Sequence, residues 1–462
     1  MFSFTTASTA ERIIAPILGL YLGYAVVRLP EVFPVFEVPR GPMILMLVFL
    51  GMLGLAVPQD AWSLIWKKSG ALRCVGALLG LAVATAEIGI WPTNSFTFIK
   101  ENYIISVAIF VICMVFLRDR KNFRIAITVY VLCVAAVSYN VVRTYDPNSV
   151  VLNDDGDPVA PEIVAARPEL RRLQIVGEGL DSNDFGAILV STFPLALWLS
   201  VGSFKRRVFW TGIAVLLVMA VTPTQSRGAE LGFAAAAAVV VSVGAKGWRR
   251  WLSFALVAGC IAVFVMMAAG IGAAARFSDF GEDDYNLSNE GRWFFWKQGF
   301  VWMLKRPWGY GIENFPTYFG IMNGPERAAH SSWVQYGMEL GVTGITIFVV
   351  LCVWLVRSLR KHQRRAAALA DVMPQAKDEQ VLGGHMLALL AGVLVTGSFL
   401  SNAYYPLMYM ALGLAAAVLL GSPLPDVVPD SLAKPGAATP ALRSGGAPRR
   451  RLRRFPGDVP AG

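Results

Sequence analysis

Residues 103–142 read YIISVAIFVICMVFLRDRKNFRIAITVYVLCVAAVSYNVV. Two apolar blocks, 103–117 and 125–142, flank a short connection that carries Arg118, Arg120, Lys121 and Arg124. Within each block the apolar residues are nearly continuous and do not form a stripe or an alternation. That is the pattern of a helix with no water-facing side. About 20 such residues cross the hydrocarbon core of a bilayer. A basic hinge between two blocks of this kind predicts a pair of membrane helices turning at a lipid headgroup surface.

The same pattern recurs outward in both directions. Ten more blocks follow it: 13–29, 42–57, 70–90, 185–202, 208–222, 229–244, 251–272, 337–356, 382–400 and 404–421. Of the 462 residues, 55% are hydrophobic and 16% charged, where a soluble chain carries about 25% charged residues. The expected fold class is an all-α integral membrane protein of about twelve transmembrane helices with a large helical periplasmic loop. The membrane domain is expected over 1–421, with outer loops 143–184 and 273–336, followed by a disordered basic cytoplasmic tail over 422–462. Glu11 and Arg12 precede the first block and no small-residue cleavage site follows it, so it reads as a retained signal-anchor helix. The five cysteines, Cys74, Cys113, Cys133, Cys260 and Cys352, lie inside apolar blocks and read as packing residues.

Basic residues give the blocks a direction. Alternate connections are rich in Lys and Arg: 58–69, 118–124, 203–207, 245–250, 357–381 and the tail together hold 25 of the 41. Positive charge marks the cytoplasmic side, so both termini are expected there, His362 with them in a basic loop. The net charge of +10 then reflects topology and contact with anionic lipid, and nucleic acid is not an expected partner.

This orientation leaves three informative segments on the outer face: loop 143–184, the turn 223–228 and loop 273–336. The turn Thr224-Gln225-Ser226-Arg227-Gly228 places an arginine at the membrane edge, where it is costly unless it meets a polar cavity or a partner such as Glu230. A guanidinium offers forked donors suited to phosphate. Residues 289–304 carry Trp293, Trp296, Phe300 and Met303 on one helical face, with Arg292 on that same face. The helix should lie in the interface, apolar side down. Arg306-Pro307-Trp308-Gly309-Tyr310-Gly311 follows, a turn-rich stretch where backbone can approach a ligand. His330 is the one histidine of three on the outer face, at an expected helix start with Ser331 or Ser332 as caps. Such a position disfavours imidazolium, and a neutral ring there can accept a proton from a hydroxyl. Acidic runs at 154–157 and 282–284 read as solvated turns, so no metal or other cofactor is expected.

Together these segments resemble the bacterial O-antigen ligase and polymerase superfamily. The resemblance rests on the Ser226-Arg227-Gly228 turn and on Gly291-Arg292 with Pro307-Trp308-Gly309-Tyr310-Gly311. It also rests on His330-Ser331-Ser332-Trp333 running to Glu339-Leu340-Gly341-Val342-Thr343-Gly344, and, more weakly, on Gly177 to Gly186 before a span. Ser331 stands where that family commonly has asparagine. The resemblance implies a donor of undecaprenyl-diphosphate-linked glycan, and an acceptor that is lipid A-core or a growing glycan. It implies that Arg227 and Arg292 hold the diphosphate and that His330 activates the acceptor hydroxyl. Arg167, Arg171 and Arg172 are further candidates for substrate binding. The expected enzyme is a metal-independent, inverting glycosyltransferase of the bacterial inner membrane, its site facing the periplasm. A lipid-linked glycan flippase or other transporter is the alternative. It predicts ionisable residues deep in several spans and repeated halves, whereas the spans here hold few charges and no repeat.

Overall fold

The computed structural model describes residues 9–38, 40–57, 59–145, 181–244, 289–324 and 326–425. The block 251–272, the arginines Arg167, Arg171 and Arg172, both acidic runs and nearly all of the tail lie outside the described residues. Met1–Leu424 forms one compact unit, and the second unit, Pro425–Gly462, falls almost wholly outside the described residues.

Among the described residues all regular structure is helical. Six helices among the described residues are long and apolar enough to cross a membrane: Gly70–Glu87, Pro92–Phe116, Arg120–Thr144, Phe204–Thr224, Gly341–Leu369 and Pro374–Gly397. Ile14–Val26, Gly41–Gly54 and Pro406–Leu420 are shorter apolar helices. The expected twelve spans also need Ser182–Leu199, Arg227–Gly244 and the block 251–272 to cross, so twelve remains an expectation. The helices expose large apolar side chains on their outer faces, among them Leu20, Leu47, Val208, Phe209 and Val350. Polar side chains turn inward: Ser191 and Thr192 are buried and donate to the Ile188 carbonyl at 2.8 and 2.7 Å. A bundle with apolar exterior and polar groups inside suits lipid as its solvent. The chain is a multi-pass membrane protein.

Lipid tails supply no hydrophobic drive between helices, so close approach through small residues matters more. Gly232 faces Gly392 and Thr396, where a Cβ would overlap the Thr396 hydroxyl. This seats Arg227–Gly244 against Pro374–Gly397. A Cβ on Gly413 would come within 2.8 Å of the Phe110 carbonyl, which joins Pro406–Leu420 to Pro92–Phe116.

The basic end of the bundle holds a lock that corrects one expectation. His362 does not lie in the expected basic loop: the helix Gly341–Leu369 continues past the membrane block and buries it. Glu379 is buried beside it, with His362 Nε2 3.1 Å from Glu379 Oε2. Arg120 donates to both Glu379 oxygens, at 2.5 and 2.8 Å, and to the Val418 carbonyl at 2.7 Å. Four helices are thus pinned at one end by a bidentate, hydrogen-bonded ion pair.

At the other end the expected block 337–356 is divided. Ser332–Glu339 and Gly341–Leu369 are separate helices. Gly341 has φ 71°, and the carbonyl of Pro307 lies where its Cβ would be. Helix propagation cannot pass through a left-handed residue, so the chain bends there.

Candidate functional site

The end of the bundle that carries His330 is built around a connection that the sequence pattern passed over. Residues 398–405 join Pro374–Gly397 to Pro406–Leu420. The helix after His330 docks on them. Ser332 Oγ donates to the Leu400 carbonyl at 2.8 Å and accepts from the Asn402 N–H at 3.1 Å. Trp333 Nε1 donates to Ser398 Oγ at 3.0 Å, and the Tyr336 hydroxyl donates to the Ala403 carbonyl at 2.6 Å. Ser331 stands at the N-cap, but neither serine caps the helix with its side chain. The expected capping role is displaced because Ser332 is taken by loop 398–405. His330 itself is partly buried and held at φ 48°, with its ring 5.9 Å from that of Phe295. A left-handed histidine is uncommon and persists only where its surroundings fix it.

Arg227 opens the helix Arg227–Gly244 after a 3-10 turn, Thr222–Thr224, and a left-handed Gln225. Side chains fix this turn. Thr224 Oγ1 accepts from the Ser226 N–H at 3.3 Å, and Ser226 Oγ accepts from the Ala229 N–H at 3.4 Å. Gly228 lies against Phe399, whose Cβ would be 3.0 Å from a Cβ added there. Arg292 lies in the first turn of Asn289–Lys305. One turn later Trp296 packs its ring 6.1 Å from Phe399. Phe399 is therefore the common neighbour of the turn that carries Arg227 and the helix that carries Arg292, in the loop on which the His330 helix docks.

The aromatic helix differs from the expected simple interfacial face. Phe295 and Trp302 are buried in a cluster with Phe315 and Phe319, and Met303 meets Gly337. Phe300 and Leu304 are exposed at 57% and 60%. The face expected to lie in the bilayer is thus split, with Trp296 and Met303 turned to the protein and Phe300 turned out. The reason is Gly299, which lets the helix press against Val334 and Phe315.

The glycine-rich turn also has a different purpose from the one expected. Tyr310 and Gly311 donate to the Met338 and Glu339 carbonyls at 3.1 and 3.0 Å, and Val342 donates to the Pro307 carbonyl at 2.8 Å. Gly309 has φ 95° and lies against the Glu339 carbonyl. The backbone of 307–311 approaches the backbone of 338–342, where the sequence suggested a ligand. Arg306 donates to the Ile88 carbonyl, and Ser95 Oγ donates to the Ile312 carbonyl at 2.7 Å. Segment 306–314 is thereby tied to the start of Pro92–Phe116.

Three carboxyls at this end were not singled out from sequence. Glu339 is buried, accepts from the Phe315 N–H at 3.1 Å, and is pushed well above the usual carboxyl range by burial and by the Glu313 charge. Burial also raises Glu313, whose backbone is left-handed at φ 60°. Asp184 lies just before the apolar block 185–202. Burial and the Asp181 charge push it up to about 6, against the Asn402 hydrogen bond and the Arg28 charge. The stretch Gly177–Gly186 was the one signal for Asp184. Glu339 opens the motif that ends at Gly344, and Glu313 lies in the turn-rich stretch after Arg306, but neither pattern reports burial, which depends on partners far along the chain. Among the described residues no group of three or more His, Cys, Asp or Glu side chains is placed to hold a metal ion.

The fold is that of a multi-pass membrane protein in which the segments bearing Arg227, Arg292 and His330 pack on loop 398–405 at one end of the bundle. Residues 212–349 match the family model described as O-antigen ligase, which supports the resemblance to the O-antigen ligase and polymerase superfamily. The match spans Arg227, Arg292 and His330, while Asp184 and loop 398–405 lie outside it. It implies a membrane glycan ligase or polymerase with glycosyltransferase-like chemistry, and it does not favour a flippase or transporter. None of the curated proteins matches the chain.

Proposed function

We propose that the protein moves an undecaprenyl-diphosphate-linked oligo- or polysaccharide onto an acceptor hydroxyl at the periplasmic face of the bacterial inner membrane. The acceptor is lipid A-core for a ligase or the growing glycan for a polymerase. One observation carries the reading: the segments bearing Arg227, Arg292 and His330 all pack on loop 398–405. Three residues suited to one reaction are thereby carried by segments at one end of the bundle.

The chemistry follows from the residue types. The acceptor oxygen attacks the anomeric carbon as the bond from that carbon to the diphosphate oxygen breaks. The hydroxyl proton passes to the His330 imidazole, and the diphosphate leaves with its charge offset by Arg227 and Arg292. Fixed guanidinium groups at a low-dielectric boundary offset developing charge without reorganising, so the reaction needs no divalent metal. A single displacement inverts the anomeric configuration. The left-handed backbone of His330 and its packing on Phe295 favour a fixed ring over a snorkelling surface histidine.

The test is transfer by the purified protein in lipid nanodiscs, with chelator present and lipid-linked glycan as donor. Wild type should form product of inverted configuration. Arg227→Ala and Arg292→Ala should each lower turnover by about a hundredfold, as loss of one charge-stabilising donor does, and His330→Ala should abolish it. Full transfer by the arginine variants would remove the diphosphate role, and full transfer by His330→Ala would remove the base.

A further inference from the structure

The mechanism above leaves the carboxyl of Asp184 unused, although the fold takes it to the same place. Asp181 caps the helix Ser182–Leu199 by accepting from the Asn183 N–H at 3.3 Å, so Asp184 is not needed as the cap. Its carboxyl is instead hydrogen-bonded by the Asn402 side chain. The backbone of Asn402 donates to Ser332 Oγ, two residues past His330. On the other side, Gly186 is pressed on the Arg227 turn. A Cβ there would lie 2.7 Å from Ala229 Cβ and 3.4 Å from Ser226 Cβ. Asp184 therefore stands between the arm that carries Arg227 and the arm that carries His330.

Unspent polar capacity gathers around the same loop. Gln335 Oε1, Ser401 Oγ and Trp296 Nε1 are buried with no hydrogen-bond partner among the described residues. Gln335 is 4% exposed and lies beside Ser332 and Tyr336, whose hydroxyls bond to residues 400 and 403. Trp296 lies against Phe399. Buried polar atoms are nearly always paired, so two acceptors and a donor left open around one loop suit a ligand with several hydroxyl groups. A carboxylate has about four acceptor positions, of which the Asn402 amide takes one.

We propose that Asp184, oriented by Asn402, binds the acceptor sugar, taking hydrogen bonds from its hydroxyls and presenting the attacking one to His330. This rests on the glycosyl-transfer reading and names the acceptor subsite within it. The role requires the ionised carboxylate. The charged and titratable groups that act on Asp184 are Asp181 at the cap of its own helix, Arg28, and Tyr405 on the loop, and the helix packed against its own carries Arg227 and Glu230. With Asp184 pushed up to about 6, the carboxylate form dominates at neutral pH and binding is lost as the pH falls through that value.

The experiment uses the full chain in nanodiscs, with lipid-linked glycan and unmodified acceptor extracted from cells lacking the protein. Asp184→Asn should raise the acceptor KM by about tenfold to a hundredfold, the worth of a hydrogen bond to a charged group, and leave the donor KM unchanged. The acid fall of kcat/KM should become shallower by one proton. Asn402→Ala should shift the acceptor KM in the same direction by less, and it serves if Asp184→Asn does not fold. An acceptor KM within twofold of wild type in both variants, or an unchanged pH profile in Asp184→Asn, overturns the inference. Active wild type, inactive His330→Ala and normal Asp184→Asn would overturn this inference alone. Inactive wild type would overturn the functional reading with it.

Discussion

Gly186→Ala tests whether the Arg227 turn is positioned by helix packing. The new Cβ would lie 2.7 Å from the Cβ of Ala229, where ordinary contact begins at 3.4 Å. The obstacle is a methyl fixed to a helix backbone, so it cannot swing away as the end of a long side chain would. The helices Ser182–Leu199 and Arg227–Gly244 must separate by about 0.7 Å, the difference between those two distances. Overpacking of this kind costs about 1–3 kcal/mol, and replacing a helical glycine with alanine returns about 1 kcal/mol. Stability should change little. Activity is the sensitive readout, because a misplacement of about 1 Å costs roughly a hundredfold in rate. Transfer by Gly186→Ala should fall by about tenfold or more. The double variant Gly186→Ala with Ala229→Gly moves the methyl across the interface and should restore most of it. Wild-type transfer by Gly186→Ala, or no recovery in the double variant, would refute the reasoning.

Other outcomes follow from the same geometry. Arg120→Met leaves Glu379 buried without its bidentate partner and should cost about 3–5 kcal/mol. The melting temperature should drop, while kcat of the folded fraction stays at the wild-type value, since the lock is at the far end of the bundle. Gly341→Ala combines a left-handed backbone with a Cβ on the Pro307 carbonyl. It should loosen segment 306–342, seen as faster proteolysis there with the membrane helices intact. Glu313 and Glu339 have raised pKa values, so the folded state holds their protons more tightly than the unfolded state. Stability should therefore decline as pH rises from the unfolded carboxyl range through the folded values. Glu339→Gln should flatten that decline in a melting-temperature series, and an unchanged slope would contradict it.

The sequence made the bundle legible because lipid-facing helices write long apolar blocks. The Ser226-Arg227-Gly228 turn and His330 were legible for a related reason: polar residues are conspicuous at the ends of such blocks. Loop 398–405 was not. Ser398 and Asn402 lie within or between two apolar blocks only three residues apart, and their importance comes from Ser332, Trp333 and Tyr336, more than 60 positions away. The glycine turn 309–311 was read as open to a ligand because its true neighbour, 338–342, is distant in sequence. The basic residues around His362 predict a loop, because Glu379 and Arg120, which make its burial tolerable, lie on other helices. Local pattern reports the solvent a segment meets, whereas these contacts were set by the packing of segments on one another.

In the proposed reaction, loop 398–405 and the three segments packed on it surround the reacting sugar. Photolabelling tests it most directly, using a lipid-diphosphate glycan donor with a photoreactive group on the sugar next to the diphosphate. Labelled peptides are expected from 225–230, 292–299, 330–336 and 398–405, with labelling reduced by unlabelled donor. Competable label confined to the basic end, around Arg120, His362 and Glu379, would contradict it.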